Sequence, residues 1–181
     1  MKKSLLQFAK VISLVLLCFI FSCQQQVKEA TAEEELKDIA RRVIEEAWNQ
    51  GKMDVIDEQY ATDYVYHRTP FPDIVGLEAF KQYITDNRSS YPDLHITIEE
   101  MIVEGNVVVV RGTYSGTQTG ASPTLGIPAT GKQITFGWCA VSHRMNGKTV
   151  EDWNYVDWLG FMKQLGFTFA PPQLPEPPEQ K

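Results

Sequence analysis

Glu151, Trp153, Tyr155 and Asp157 stand at every second position of "VEDWNYVDWLGFMKQLG", residues 150 to 166. On a strand, that alternation sends all four to one face and Asp152, Asn154 and Val156 to the other. If the first face lines a hollow, Trp153 keeps water from Asp157, and desolvation lifts its carboxyl from about 4 toward neutrality. A carboxylate so poised takes a proton from carbon beside a carbonyl and returns it, a transfer worth about 10²–10⁴ in rate. The same aspartate has a plainer use. Trp158, Phe161, Met162 and Leu165 are spaced i, i+3, i+4, i+7, so a helix begins right after Asp157 and Gly166 stops it. Asp157 is then an N-cap, worth about 1 kcal/mol against alanine, and the two roles are compatible.

An enolate made by Asp157 needs a partner for its oxygen. Arg111, inside "NVVVVRGTYSG", would supply charge, and His67 would donate a hydrogen bond. Each has a structural alternative: Arg111 paired with a carboxylate such as Glu151, and His67 as a hydrogen-bonded core group. Tyr66, Trp138 and Trp153 read as wall residues of either a core or a substrate pocket.

Four long period-two runs position these residues. "LHITIEEMIVEG", "NVVVVRGTYSGTQ", "KQITFGWCAVSHRM" and "KTVEDWNYVD" are strands joined by tight turns at Glu104-Gly105-Asn106 and Met145-Asn146-Gly147-Lys148. Ahead of them, Leu36, Ile39, Val43 and Ala47 mark a first helix that Gly51 ends. "DVIDEQY" follows as a short helix, "DYVYHRT" as a strand and "GLEAFKQYITDNR" as a third helix. Helices first and hairpin-linked strands afterwards give an α+β domain, its helices laid across one face of a curved sheet. Such a cone holds apolar small molecules.

The ends of the chain read differently. Lys2 and Lys3 precede the apolar run Val11–Phe21, too short to span a bilayer and the right size for a signal-peptide core. Ile20-Phe21-Ser22-Cys23 resembles a bacterial lipoprotein signal; the alternative is an ordinary secretory signal with an incidental cysteine. Residues 1–22 are then the signal and 23–32 a tether. The domain occupies 33–168, and 169–181 form a proline-rich tail. Lipidation at Cys23 implies membrane anchoring in the cell envelope, and Gln24 in place of an aspartate leans toward a Gram-negative outer membrane. Loss of Lys2, Lys3 and Lys10 with the signal takes the net charge from −6 to −9. So acidic a chain without a basic stripe is not built for nucleic acid. Cys139 remains as a lone thiol on a strand, ordinarily a small core residue.

Two motifs fail on inspection. "GIPATGKQ" has phosphate-loop spacing but lacks the Ser or Thr after Lys132 and leads into a strand. His67, His95 and His143 fall on separate strands without ligand spacing, so no metal is expected.

Several stretches agree with one family in order and spacing: "YVYH", "FPDIVGLEAFKQYI", "YPDLHITIEEMIVEGNVVVVRGTYSGTQTG", "GIPATGKQITF" and "NGKTVEDWNYVDWLGFMKQLG". Together they resemble the SnoaL-like polyketide and ester cyclases of the nuclear-transport-factor-2-like (NTF2-like) superfamily. The resemblance implies an NTF2-like cone with a deep apolar pocket and ring closure by intramolecular aldol chemistry without metal or cofactor. It places Asp157 at the family's acid/base position and His67 at the histidine ending its first strand. It also implies a homodimer paired through the sheet. Gln118, where histidine is common after the Gly-Thr turn, and Ala129, in place of a second proline, depart from the pattern and bear on substrate. The function expected is acid/base cyclisation or isomerisation of a small apolar carbonyl compound. The alternative is an envelope lipoprotein that binds a hydrophobic molecule without catalysis.

Overall fold

The computed structural model describes residues 29–170. The expected signal peptide, Cys23 and the tail beyond residue 170 lie outside them. Residues 29–43 are α-helical and run into a π-helical stretch, Ile44–Asn49; together they form α1. Next come α2 (Asp54–Gln59), β1 (Tyr60–His67), β2 (Ile74–Val75) and α3 (Leu77–Ser90). Then follow β3 (His95–Glu104), β4 (Val107–Thr117), β5 (Gln133–Met145), β6 (Lys148–Val156) and α4 (Trp158–Leu165).

The strands make one six-stranded sheet in the order β2-β1-β6-β5-β4-β3. β3 to β6 are consecutive antiparallel hairpin partners, as the period-two runs predict. The β5–β6 turn has positive φ at Asn146 (52°) and Gly147 (78°), the hand that matches strand twist. β1 joins β6 in parallel, which makes the sheet mixed, and the two-residue β2 was not evident from periodicity.

Helices and sheet meet in two apolar clusters. One centres on Val55, Ile56, Tyr64, Phe80 and Ile84, between the helices and β1. The other centres on Ile96, Val108, Val110, Ile134 and Phe161, between the central strands and α4. Trp48 packs against both. Asn49 fixes α1 to the sheet: its Oδ1 accepts from the Ile96 N–H at 2.7 Å and its Nδ2 donates to the Ile96 carbonyl at 3.1 Å. The π turn puts both Ile44 and Trp48 over the concave face, where a hollow remains between the clusters.

Candidate functional site: an aromatic cone with a polar strand inside

Strand register decides which residues see the hollow. Gly112 pairs with Trp138, Trp138 with Val156, and Ser142 with Asp152, which in turn pairs with Tyr66. Tyr66, Trp138, Ala140, Asn154 and Val156 all line a cavity of about 100 Å³. Ile44 and Trp48 of α1, Tyr83 and Asn87 of α3, and Phe161 of α4 close it. A second chamber of about 70 Å³ adjoins it, lined by Asp152, Ser142, Arg144 and Thr149. The two share Ile44, Trp48, Trp138 and Ala140 as walls.

Trp138 reaches across the sheet because its neighbour is glycine. A Cβ on Gly112 would lie 3.0 Å from the indole Nε1 and 2.2 Å from the Thr97 carbonyl oxygen. Three polar atoms of the cavity wall are buried without a protein partner: Trp138 Nε1 and the Tyr91 and Tyr114 hydroxyls. Burial holds the Tyr66 and Tyr114 hydroxyls well above the ordinary tyrosine range and pushes Tyr91 up to about 12. All three therefore stay protonated at neutral pH. The Asn154 amide donates to the Tyr66 hydroxyl oxygen.

Asp152 lies in the second chamber. It is 5% exposed, and its Oδ2 accepts from the Tyr64 hydroxyl at 2.7 Å. Its Oδ1 is buried with no hydrogen-bond partner. Burial raises this carboxyl from 3.8 to about 6, moderated by the Ser142 and Tyr64 hydroxyls and by the Arg144 and His143 charges.

The residues expected from the sequence divide between two faces. Tyr66 and Trp138 line the cavity. Glu151, Trp153, Tyr155 and Asp157 lie on the outer face of the sheet, opposite to the face expected for them, because β6 turns its polar residues inward and its aromatic ones outward. Trp153 stacks on His67 with ring centroids 4.6 Å apart. Glu151 lies 3.2 Å from His143 Nδ1 and 3.7 Å from His67 Nε2, while His67 Nδ1 meets Asp73 Oδ2 at 3.0 Å. Arg111 is exposed and pairs with Glu99 and Glu100 across the β3–β4 hairpin, not with Glu151 or the cavity. Asp157 is exposed, and its Oδ1 accepts from the Gly160 N–H at 2.9 Å, the N-cap geometry. Asp157 therefore caps α4 and does not share a dry hollow with indole.

Asp152, Asn154, Trp48 and Tyr114 line the interior and have no role in the expectations from sequence. The signal for the first two was present, since two polar residues alternating with two aromatic ones mark both faces of β6 without saying which is inner. Among the described residues no group of three or more His, Cys, Asp or Glu is placed to hold a metal ion. Cys139 is a half-buried free thiol on the outer face.

The family comparison agrees with this architecture. The model for "SnoaL-like polyketide cyclase" matches residues 38–165. Aklanonic acid methyl ester cyclase DauD from Streptomyces sp. (strain C5) is 27% identical over 153 residues, covering 80% of this chain and 92% of that one. A solved SnoaL-like chain from Jannaschia sp. CCS1 superposes with a TM-score of 0.68 at 25% identity, over 77% of this chain and 95% of that one. TsrD from Streptomyces laurentii gives a TM-score of 0.64 at 28% identity, over 72% and 94% of the two chains. A matched stretch that runs from within α1 to the end of α4, and so takes in every strand of the sheet, means that the chain belongs to the SnoaL-like polyketide cyclase family.

Proposed function

We propose that this protein is an ester-cyclase-type catalyst that cyclises or isomerises a small apolar carbonyl compound inside the cone, using side chains alone as acid and base. The observation that carries this reading is the set of buried, unpartnered donors in an aromatic wall, Trp138 Nε1–H and the Tyr91 and Tyr114 hydroxyls. Buried donors without partners cost free energy, and a ligand oxygen would satisfy them. Most of the wall is apolar, so each such hydrogen bond is stronger than at a surface. Developing negative charge on a carbonyl oxygen is the state these donors favour most.

Volume limits the substrate. Chambers of about 100 and 70 Å³ compare with the roughly 150 Å³ cavity that takes up benzene. Neither chamber alone reaches that size, so a one-ring ketone would have to occupy both. Deuterium exchange at the α-carbon of phenylacetone in D₂O, followed by proton NMR, tests the reading. The full chain should exchange it saturably and well above buffer; a rate equal to buffer contradicts the proposal.

The same reading keeps the domain anchored through a lipid on Cys23 in the cell envelope and pairs two copies through the outer sheet face. Tyr155 and Ile102, each 56% exposed on that face, support the pairing. Molar mass in solution at twice the chain mass is the expected result, and a monomer contradicts it.

A further inference from the structure

We propose that Asp152, and not Asp157, is the acid/base of this cone, taking a proton on its unpartnered Oδ1 from carbon beside the substrate carbonyl and then returning it. The inference rests on the proposed carbonyl chemistry and assigns its central group.

β6 breaks the pattern that burial normally imposes. Its concave side carries Asp152, Asn154 and Val156, whereas Trp153 and Tyr155 face outward. A strand that turns a carboxylate and an amide into an apolar interior pays a desolvation cost that packing alone does not require. The inward carboxylate also lacks the partner that a structural ion pair would give it. Among the described residues no salt bridge reaches Asp152. The nearby Arg144 guanidinium is committed elsewhere, donating to the Thr149 hydroxyl at 2.9 Å, the Gly147 carbonyl at 2.6 Å and Gln59 Oε1 at 3.2 Å. Tyr64 holds one oxygen of Asp152, which fixes the carboxyl; the neighbouring Ser142 hydroxyl also favours its charged form, and Oδ1 has no hydrogen-bond partner of its own.

Position completes the case. Asp152 lines the second chamber, which shares Trp138 and Ala140 with the first. Asn154 is two residues along the same face, about 7 Å away on the strand. A ligand in that chamber would meet Asp152 Oδ1. The α C–H bond breaks, its proton goes to Oδ1, and its electron pair moves onto the carbonyl oxygen. In isomerisation the proton returns to another carbon of the enolate. In ring closure the enolate carbon bonds to a second carbonyl carbon of the same molecule, whose oxygen takes the proton back from Asp152. No other reactant is required. A carboxyl held near 6 by burial is matched to that exchange at neutral pH. The ionisable groups facing it are Tyr60, Tyr64 and Tyr66 on β1 and His143 and Arg144 on β5, and burial keeps the three phenols protonated.

Phenylacetone exchange with the full chain tests the assignment. Wild type should show a rate that rises with pH and levels above about pH 6. Asp152→Asn should slow exchange at least about 100-fold. Asp157→Ser, which retains a capping side chain, should stay within about twofold of wild type. Undiminished exchange in Asp152→Asn, or an equal loss in Asp157→Ser, overturns the assignment while leaving the carbonyl chemistry standing. If Asp152→Asn fails to fold, carbon-13 NMR of the wild-type Asp152 carboxyl decides. The rate must follow that carboxyl's titration, and a rate flat across it overturns the proposal. Wild type without exchange removes the carbonyl reading and this assignment together.

Discussion

Asp152 and Asp157 are five residues apart and illustrate how environment divides labour between like side chains. Asp157 satisfies an N–H at the start of α4 and stays in water. Asp152 gives one oxygen to Tyr64 and has its other oxygen buried unpaired. A consequence for stability follows from burial. The Asp152 carboxyl titrates near 6 in the folded chain against 3.8 ordinarily, so between those values the folded state holds the proton more tightly. Its contribution to stability is therefore full below about pH 4 and is lost as pH rises through 6, with an upper bound of about 3 kcal/mol. Urea unfolding of wild type and Asp152→Asn at pH 4.5 and 7 should show a smaller pH dependence in the variant. Equal pH dependence in both would mean that Asp152 ionises as it does in water.

At the scale of elements, most of the scaffold is legible in the sequence. The helical spacing of Leu36, Ile39, Val43 and Ala47, the period-two runs and the Asn146-Gly147 turn each place an element where the structure has one. The inner face of β6 was not legible. Alternation fixes which residues share a face, and burial normally says which face is inner, but here the aromatic residues are outside and the polar ones inside. Local rules fail in this way where function overrides packing. Trp138 depends on another element, because only glycine at 112 lets the β3 backbone and the indole approach so closely. Gly112→Ala should destabilise the fold by more than about 1 kcal/mol, since the Thr97 carbonyl that blocks the methyl is backbone and not a movable side chain. Thermal denaturation checks this, and an unchanged midpoint would show that the β3–β4 pair has slack.

The whole molecule is a curved mixed sheet closed by helices around a divided hollow. Its fold was legible as a family resemblance, whereas its depth and the partition by Trp48 and Trp138 depend on long-range packing that one sequence does not display. On the proposed function, a carbonyl ligand enters the concave side and engages the interior donors. The indole N–H resonances of Trp138 and Trp153 report on the two faces separately, since one lies in the cavity wall and the other stacks on His67 outside. On titration with phenylacetone, the Trp138 indole proton should move downfield saturably while the Trp153 proton stays in place. A shift confined to Trp153, with Trp138 unmoved, would contradict the account.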